Sequence, residues 1–391
     1  MANLEVSIAG VKFRNPLILA SATPGWDGER LKQAWEAGAG AVVPKSLGPS
    51  TTWAKHPRTG RMKLIKTGKK RMGMVNIELY TTMGLDEWLE RELALAAETN
   101  AAVIASIVAQ PDPKDTIEVA KKVEATGNAV MFEINVSCPM PFGADKVGFQ
   151  MGNNPEICHN QVEAVKAAVS LPVGIKLTPT SHNMVPMAVA AAEAGADTLT
   201  IANSVRSFAG LDIKTGKPHL CAYGGYSGPA IRPITMRHVS EVARAVDIPI
   251  QAVGGISTWE DVVEYIMLGA SAVQICTSIM WLGYDHFQTI LDGLNQYMDE
   301  EKLDSLESIR GKALPYIKTI DDLAQDEPLF AKLNPDRCTN LIKGGCEMCR
   351  NVCFYGAINF DPRMSLIREN CDGCGLCMEV CPKGALTLER I

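Results

Sequence analysis

Eight of the twelve cysteines lie near the C-terminus, and their spacing constrains this chain more than any other feature. Cys371, Cys374, Cys377 and Cys381 form a Cys-x2-Cys-x2-Cys-x3-Cys run, which Pro382 follows. In bacterial two-cluster ferredoxins, three thiolates of such a run hold one iron–sulfur cluster and the fourth ligates its neighbour. We therefore predict that the C-terminal part carries electrons and that the larger remainder performs redox chemistry.

A less regular cysteine run precedes this one. It consists of Cys338, Cys346, Cys349 and Cys353. Seven residues instead of two separate its first two members, and Phe354 takes the place of the proline. Because the fourth cysteine of each run crosses to the other cluster, we expect Cys381 to complete the first site and Cys353 the second. We predict two [4Fe–4S] clusters with the five extra residues looped out, and a zinc ion in the first run as the alternative.

The composition excludes several classes of protein. Hydrophobic residues make up 47% of the 391 residues and charged residues 21%, as in ordinary globular proteins. The net charge of -6 disfavours nucleic acid as a partner, since such binding depends on clustered lysine and arginine. We expect neither a signal peptide nor a membrane partner, because residues 1–5 lack the basic and apolar pattern of a leader and no apolar stretch reaches about 18 residues. The other four cysteines are scattered without a disulfide pattern, and we expect a cytoplasmic protein.

Between about residues 16 and 276, short apolar segments alternate with stretches of helical periodicity. The eight apolar segments are residues 16–21, 41–45, 102–108, 130–136, 172–177, 198–203, 249–253 and 272–277. Several do not alternate with polar residues, as expected of parallel strands buried on both faces. Eight strands in βα order predict an α/β fold, the (β/α)8 or TIM barrel. A doubly wound sheet is the alternative, but no glycine-rich dinucleotide turn follows an early strand.

Three segments follow from this pattern. We predict a catalytic barrel domain over residues 1–300 and a charged helical connector, interrupted by Pro315, over residues 301–335. A ferredoxin-like α+β domain then occupies residues 336–391.

Glycines at the expected carboxyl ends of three strands indicate a phosphate site. Gly254 and Gly255 follow strand seven, Cys276 and Thr277 end strand eight, and residues 224–228 contain three glycines after strand six. Glycine lets backbone N–H groups approach a phosphate closely, and a following helix adds its positive end. Together these elements favour a phosphorylated cofactor, although ordinary turns also use paired glycines.

Other candidate residues carry charge or a proton. Lys45 and Lys176 end strands two and five, where they suggest a cationic lining for an electron-rich ring, unless they extend to the rim. Strand four ends in Asn135, whose amide offers a donor and an acceptor, and leads to Cys138 and Pro139. A thiol of ordinary acidity keeps its proton at neutral pH and can serve as a general acid, although a lone cysteine is more often a small buried hydrophobe.

Together these segments resemble the dihydroorotate dehydrogenase superfamily of FMN barrels. The resemblance is strongest to its bacterial NAD-dependent dihydropyrimidine dehydrogenase type, in which an FMN barrel is joined to a ferredoxin part. The most specific segments are residues 135–139, 176–179, 223–233 and 254–256 and the terminal cysteine run. The resemblance covers essentially the whole chain and implies an oxidoreductase acting on CH–CH groups, with FMN and two [4Fe–4S] clusters as cofactors.

The resemblance also implies residue roles. Cys138 would exchange a proton with a substrate carbon while flavin N5 exchanges hydride. Lys45 and Lys176 would contact the flavin ring, with Ala22 and Thr23 nearby. The ribityl phosphate would be held by Ser227, Gly228, Gly254, Gly255, Cys276 and Thr277. The substrate would be faced by Asn76, Asn135, Ser137, Asn203 and Ser204.

Three positions depart from the pyrimidine-reducing pattern. Met140 stands in place of a histidine, Asp112 in place of an asparagine and Ser204 in place of a threonine. A pyrimidine needs paired donors and acceptors, and each one left unpaired costs roughly 1–3 kcal/mol. The resemblance therefore implies the type of reaction more firmly than it implies uracil or thymine as the substrate. That reaction is the reduction or formation of a C=C bond conjugated to a carbonyl in a cyclic substrate.

The expected electron partner is a separate NAD(P)H-binding flavoprotein subunit, because the sequence has no dinucleotide fingerprint, or else a ferredoxin. We also expect an oligomer. Dihydroorotate oxidation and reduction of a non-pyrimidine cyclic or aromatic-derived substrate are alternatives within the same class. A tRNA dihydrouridine synthase is disfavoured by the acidic net charge. A non-catalytic electron-transfer subunit is disfavoured by Asn135, Ser137 and Cys138, since a relay needs no proton donor.

Overall fold

The computed structural model describes residues 3–49, 58–110, 112–139, 148 and 150–390. Met140, one of the three departures noted above, lies outside these residues. The chain divides into two compact units, Met1–Pro315 and Tyr316–Ile391. The boundary after Pro315 falls within the predicted connector, residues 301–335. The strand Leu329–Leu333 of this segment pairs with Leu386–Arg390 in the second unit.

The strands are short, as is usual for a barrel. They are β1 Val6–Ile8, β2 Val11–Phe13, β3 Leu17–Leu19, β4 Ala41–Val42, β5 Met62–Thr67, β6 Lys70–Asn76, β7 Ile104–Val108, β8 Met131–Asn135, β9 Val173–Lys176, β10 Thr198–Ile201, β11 Val205–Ser207, β12 Gly224–Ser227, β13 Ile250–Val253, β14 Ala272–Ile275, β15 Leu329–Leu333, β16 Ile358–Asn359, β17 Ser365–Leu366 and β18 Leu386–Arg390.

The helices lie mainly between the barrel strands. They are α1 Gly28–Glu36, α2 Leu85–Glu87, α3 Leu93–Ala97, α4 Pro113–Ala125, α5 Pro155–Lys166, α6 Val185–Glu193, α7 Arg232–Ala243, α8 Trp259–Met267, α9 Thr277–Leu282, α10 His286–Glu301, α11 Ile320–Leu323, α12 Thr339–Lys343, α13 Met348–Asn351 and α14 Leu376–Glu379. None of the described helices has the length and apolar character needed to span a bilayer.

Eight parallel strands form the predicted barrel, and the fold prediction is confirmed. Their order in the sheet is β4-β3-β14-β13-β10-β9-β8-β7. The cylinder closes between its first and last strands, where Val42 pairs with Val103 and Leu47 with Ile107. Each of the eight apolar segments contains one of these strands. Their side chains are buried almost throughout, which explains why the segments lack polar alternation.

The β1–β2 hairpin covers the amino-terminal end of the barrel. Ile8 and Phe13 of the hairpin pack against Ile104, Met131 and other residues at the starts of barrel strands. The active face of such a barrel lies at the opposite end, where the strands lead into βα loops.

A four-stranded antiparallel sheet, not predicted from the sequence, is built from those loops. Its order is β11-β12-β6-β5, so excursions after the second and sixth barrel strands pair with one another. Gly225 pairs with Asn76, and Ser227 pairs with Met74. This pairing fixes Asn76 and Ser227 in one register, although they lie far apart in the sequence.

Asp112, the second of the three departures noted above, has a local structural role. Its carboxylate accepts a hydrogen bond of 2.9 Å from the Lys114 N–H and caps α4, which Pro113 begins. Side-chain oxygens at this position satisfy N–H groups that the first helical turn leaves unpaired. Asp112 is exposed.

The second unit contains two small antiparallel pairs, β15–β18 and β16–β17, and short helices. Its core includes Ile358, Met364, Leu386 and the buried Cys338. Of the seven residues between Cys338 and Cys346, the first five form α12, which ends at Lys343, and Gly344 and Gly345 follow it. Both glycines have positive φ angles, 76° and 78°, which a residue without a side chain adopts readily.

Candidate active site

One large cavity, of about 1060 Å³, gathers the predicted site residues of the barrel at the carboxyl ends of its strands. Its lining includes Ala22, Thr23, Lys45, Asn76, Asn135, Cys138, Lys176, Asn203, Ser204, Ser227, Gly228, Gly254, Gly255, Cys276 and Thr277. Ser137 is the exception, because it is fully buried behind the lining. Asp112 is not among the residues that line the cavity.

Hydrogen bonds fix the loop that carries Cys138. The Asn135 side-chain amide donates to Ser46 Oγ at 2.9 Å, and its oxygen accepts from Ser137 Oγ at 3.0 Å. Asn203 Nδ2, from the loop after β10, donates to Ser137 Oγ at 3.1 Å. Ser137 therefore connects two of the three asparagines predicted to face the substrate, Asn135 and Asn203.

The Cys138 thiol is buried at the end of this loop. It is 5% exposed and lines the cavity. Tyr80, which the sequence analysis did not single out, lines the same cavity and is also buried. Burial raises the pKa of Tyr80 well above its ordinary value, and the neighbouring Cys138 raises it further. Tyr80 therefore remains a hydroxyl at any physiological pH.

Lys45 is held by a carboxylate that was also missed. Lys45 Nζ lies 2.9 Å from Glu78 Oε2, and both side chains are buried. Arg61 Nε is 3.2 Å from the other Glu78 oxygen, and the Thr23 hydroxyl donates to Oε2. Burial lowers the pKa of Lys45, and the Glu78 carboxylate opposes that shift. The positive charge of Lys45 is therefore balanced by the negative charge of Glu78.

Lys176 has its own buried partners inside the barrel. Its Nζ lies 3.4 Å from Glu133 Oε1 and 3.2 Å from Gln274 Oε1. The other Glu133 oxygen accepts from Gln274 Nε2 at 2.7 Å and from Thr200 Oγ1 at 2.9 Å. Residues of β8, β9, β10 and β14 therefore form one network beneath the cavity. A buried ion pair needs such additional hydrogen bonds to offset the loss of water.

The opposite end of the cavity is lined by close-packed backbone. Gly254 and Gly255 have φ angles of 148° and 78°. A Cβ on Gly255 would lie 2.8 Å from Arg232 Cβ, so no side chain fits there. Ser227 Oγ and Thr277 Oγ1 lie 2.9 Å apart nearby. Backbone N–H groups and hydroxyls brought together in this way suit a phosphate.

Cys276 also lines the cavity, as a neutral group. Burial raises its pKa to about 11, although Lys176 and Lys45 counteract part of the shift. The cavity therefore offers two lysines together with uncharged hydroxyl and backbone donors. This donor set fits FMN, an aromatic ring system that bears a phosphate on a flexible chain.

Two smaller cavities of about 380 Å³ each lie in the second unit, and each is lined by four cysteines. The first is lined by Cys338, Cys346, Cys349 and Cys381, and the second by Cys353, Cys371, Cys374 and Cys377. The fourth cysteine of each run thus reaches the cavity of the other run. The structure brings Cys338 and Cys346 together in spite of their longer separation in the sequence.

The thiols also receive backbone hydrogen bonds. The Ala357 and Ala385 N–H groups donate to Cys353 Sγ and Cys381 Sγ, each at 3.3 Å. Donors of this kind tune the potential of iron–sulfur clusters. Within the described residues, no group of three or more metal-ligating side chains is close enough to hold a single metal ion.

Comparisons with known proteins agree with this geometry. The dihydroorotate dehydrogenase family model matches residues 3–298, and the 4Fe-4S binding domain model matches residues 364–387. The catalytic subunit of dihydroorotate dehydrogenase B (NAD(+)) from Methanothermobacter thermautotrophicus is 39% identical over 79% of this chain and 98% of its own length. The same subunit from Pyrococcus abyssi is 37% identical over 80% of this chain and 99% of its own length. The NAD-dependent dihydropyrimidine dehydrogenase subunit PreA from Escherichia coli is 31% identical over 100% of this chain and 96% of its own length.

Proposed function

The chain belongs to the dihydroorotate dehydrogenase family, as an oxidoreductase that uses FMN and [4Fe–4S] clusters, and from this premise we propose a specific reaction. It reduces, or in reverse forms, the C=C bond conjugated to a carbonyl in a cyclic substrate, with uracil and thymine as the first candidates. One observation supports this proposal above all. Cys138, both lysines and the glycine-lined part of the wall belong to one cavity.

Coverage of the chain favours the pyrimidine reaction. The Escherichia coli relative matches this chain from end to end, including the cysteine-rich unit. The dihydroorotate dehydrogenase relatives match about four-fifths of it, with identities of 37% and 39%. Their higher identity keeps dihydroorotate oxidation as the second candidate. That reaction gives no evident use to two clusters fused to the barrel.

The barrel residues would hold FMN at both ends. Lys45 and Lys176 would contact the ring, with Ala22 and Thr23 beside it, and the phosphate would bind at the other end. The phosphate residues would be Ser227, Gly228, Gly254, Gly255, Cys276 and Thr277. When bound, FMN supplies the hydride acceptor and donor. The lysines would favour the additional negative charge of the reduced ring, because a nearby cation stabilises an anion.

Polar side chains on the same cavity would hold the substrate. Asn76, Asn203 and Ser204 line it, and Asn76 Nδ2 donates to the Gly225 carbonyl at 3.3 Å. Asn203 is oriented by its bonds to Ser137 and Ser204. Amide side chains held by the protein present fixed donors and acceptors, which is what recognition of a cyclic amide requires.

Cys138 would move the proton. In the reducing direction, its S–H bond breaks and a C–H bond forms at the substrate carbon next to the one that gains hydride. The thiol then recovers its proton from solvent. A positioned acid of this kind contributes about 10²–10⁴-fold to a rate.

The two clusters would carry electrons between FMN and an external partner. We propose a separate NAD(P)H-binding flavoprotein subunit, with a ferredoxin as the other candidate. The printed name of the Escherichia coli relative, a subunit of an NAD-dependent enzyme, supports the first choice.

An anaerobic substrate screen tests the proposed function. The protein is reduced with dithionite, freed of excess reductant and mixed with uracil, thymine, orotate or other cyclic enones. Reoxidation of the flavin by uracil or thymine, with formation of the dihydro product, is the expected result. Reoxidation by orotate alone would favour the second candidate. No reoxidation by any of these compounds would indicate a different substrate or an electron-transfer subunit.

A further inference from the structure

Tyr265 is a fully buried tyrosine of α8 that lies behind the glycine-lined part of the cavity wall. Its hydroxyl donates to the Gly254 carbonyl at 2.7 Å. Thr235 of α7 is equally buried, and its hydroxyl contacts that of Tyr265 and lies 3.3 Å from the same carbonyl oxygen. Neither side chain is among those that line the cavity. Two hydroxyls from two helices therefore hold the Gly254 carbonyl on the side away from the cavity.

The direction of this carbonyl determines the direction of the next N–H group. The peptide bond between Gly254 and Gly255 is trans. In a planar trans peptide, the C=O and N–H bonds point in opposite directions. Because the Gly254 carbonyl points to Tyr265, the Gly255 N–H points away from it, and Gly255 lines the cavity. No hydrogen bond among the described residues uses this N–H as a donor.

We propose that Tyr265, supported by Thr235, is a positioning residue that directs the Gly255 N–H at the phosphate of FMN and so contributes to a preference for FMN over riboflavin. This inference rests on the phosphate site of the proposed function. It extends that site to two residues that do not touch the ligand. Tyr265 acts through the peptide that joins the two glycines.

The packing around Gly254 leaves this peptide little freedom. A Cβ on Gly254 would lie 2.5 Å from Thr235 Oγ1 and 2.6 Å from its Cγ2, so the threonine packs directly on the glycine. A buried carbonyl without a donor is unfavourable, so rotation of the peptide away from Tyr265 would lose a needed bond. The orientation of the Gly255 N–H is therefore set before a ligand binds.

The next two carbonyls of the same loop are also bonded to side chains. The Ser278 hydroxyl of α9 donates to the Ile256 carbonyl at 2.9 Å. Nε2 of His286, from α10, lies 2.8 Å from the Ser257 carbonyl. A carbonyl oxygen carries partial negative charge and would repel a phosphate. Side chains from several helices thus engage the carbonyl oxygens of this loop.

Two later N–H groups of the loop already have an acceptor. The Ser257 and Thr258 N–H groups donate to the Asp261 carboxylate at 2.7 Å and 3.0 Å. They are therefore satisfied within the protein, whereas the Gly255 N–H is not. A hydrogen bond from such a donor to a charged acceptor is among the stronger ones in proteins.

The affinities for FMN and riboflavin, compared within each variant, test the proposal. Flavin is removed anaerobically by dialysis against potassium bromide, the iron content is checked, and each flavin is titrated back with its fluorescence as the signal. Tyr265→Phe keeps the ring and removes the donor. We expect its Kd for FMN to rise about tenfold or more, because a bond to a charged group is weakened. The Kd for riboflavin, which lacks the phosphate, should change little.

Tyr284→Phe is the matched control. The Tyr284 hydroxyl also donates to a backbone carbonyl, that of Pro24, at 2.7 Å, and neither residue lines the cavity. This variant should keep the wild-type ratio of the two Kd values. Thr235→Val removes a hydroxyl but keeps the branched side chain, and it covers the case in which Tyr265→Phe does not fold. It should lower the preference for FMN in the same direction.

The titrations separate failure of this inference from failure of the proposed function. An unchanged ratio of Kd values in the folded variants would overturn the role of Tyr265, and so would an equal loss of affinity for both flavins. Equal binding of FMN and riboflavin by the wild type would remove the phosphate site itself, and this inference with it. No substrate is needed, so a negative substrate screen leaves the result valid.

Discussion

The ammonium of Lys45 and the carboxylate of Glu78 form a buried ion pair, with 2.9 Å between Nζ and Oε2. Arg61 approaches the same carboxylate from the more exposed side, at 3.2 Å. Lys45 and Glu78 both line the large cavity. The electrostatic potential at a bound ring would therefore depend on the Glu78 carboxylate as well as on the Lys45 ammonium. Lys176 repeats this arrangement with Glu133.

Glu78→Gln should destabilise the barrel unit. The substitution leaves the buried Lys45 without its carboxylate, and breaking one partner of a buried pair costs about 3–5 kcal/mol. Urea unfolding monitored by tryptophan fluorescence measures this, because all six tryptophans lie in the first 281 residues. The control is Glu307→Gln, which breaks a surface pair with Arg310 and should cost less than about 1 kcal/mol. Equal losses in the two variants would contradict the buried pairing.

Removal of the charges of both Lys176 and Glu133 should make the flavin harder to reduce. The double variant Lys176→Met with Glu133→Gln removes both members of the pair and leaves no buried ion unpaired. Because the lysine would lie closer to the ring than the carboxylate does, we expect a more negative midpoint potential, measured by anaerobic spectroelectrochemistry. Thr200→Val, which removes one hydroxyl donor to Glu133 and leaves both charges in place, serves as the control. A potential equal to that of the wild type would show that Lys176 does not act on the ring.

The buried thiol of Cys158 should make the barrel unit sensitive to alkali. Burial raises its pKa from 9.0 to about 12, so the unfolded chain loses this proton at lower pH than the folded one. The stabilisation from the protonated thiol is complete below pH 9.0 and is lost as the pH rises toward about 12. Between about pH 7.5 and about pH 10, the wild type should lose about 1 kcal/mol more than Cys158→Ala.

Urea midpoints at the two pH values, read by tryptophan fluorescence, give this difference. Cys221→Ala is the control, because Cys221 is exposed and should leave the pH dependence unchanged. Identical pH dependence in the wild type and Cys158→Ala would contradict the expected effect.

The two cysteine-lined cavities share no cysteine, so we expect each cluster to be lost without the other. The purified protein should contain about eight iron atoms per chain, as two four-iron clusters require. Cys346→Ala and Cys377→Ala each remove a ligand of a different cavity, so each should lower the iron content toward about four per chain. Iron analysis and electron paramagnetic resonance of the reduced protein distinguish the two losses. Loss of all iron in both variants would show that the clusters do not form independently.

Much of the barrel and its site could be predicted because both depend on local patterns. Buried parallel strands give continuous apolar segments, and residues at their carboxyl ends meet on one face, which is how Lys45, Cys138 and Lys176 were selected. Glu133 was overlooked even though a charged residue inside a buried strand is an available signal.

Glu78 and Tyr80 could not be identified in this way. They follow β6, whose partner β5 is largely exposed or half-buried and rich in lysine, so neither strand shows a clear pattern. Their positions depend on pairing between β6 and β12, which are distant in the sequence. Asp112 was noted only as a departure from the pyrimidine-reducing pattern, and its position as the cap of α4 could be predicted from the Pro113 that follows it.

Anaerobic reoxidation of the reduced flavin, compared between the wild type and Cys138→Ala, tests the role of Cys138 most directly. We expect uracil or thymine to reoxidise the wild-type flavin and to yield the dihydro product. In Cys138→Ala the electron donor should still reduce the flavin, while reoxidation by substrate slows by about 10²-fold or more, because the proton donor is gone. Equal rates of reoxidation in the two proteins would contradict the assignment of Cys138 as the proton donor.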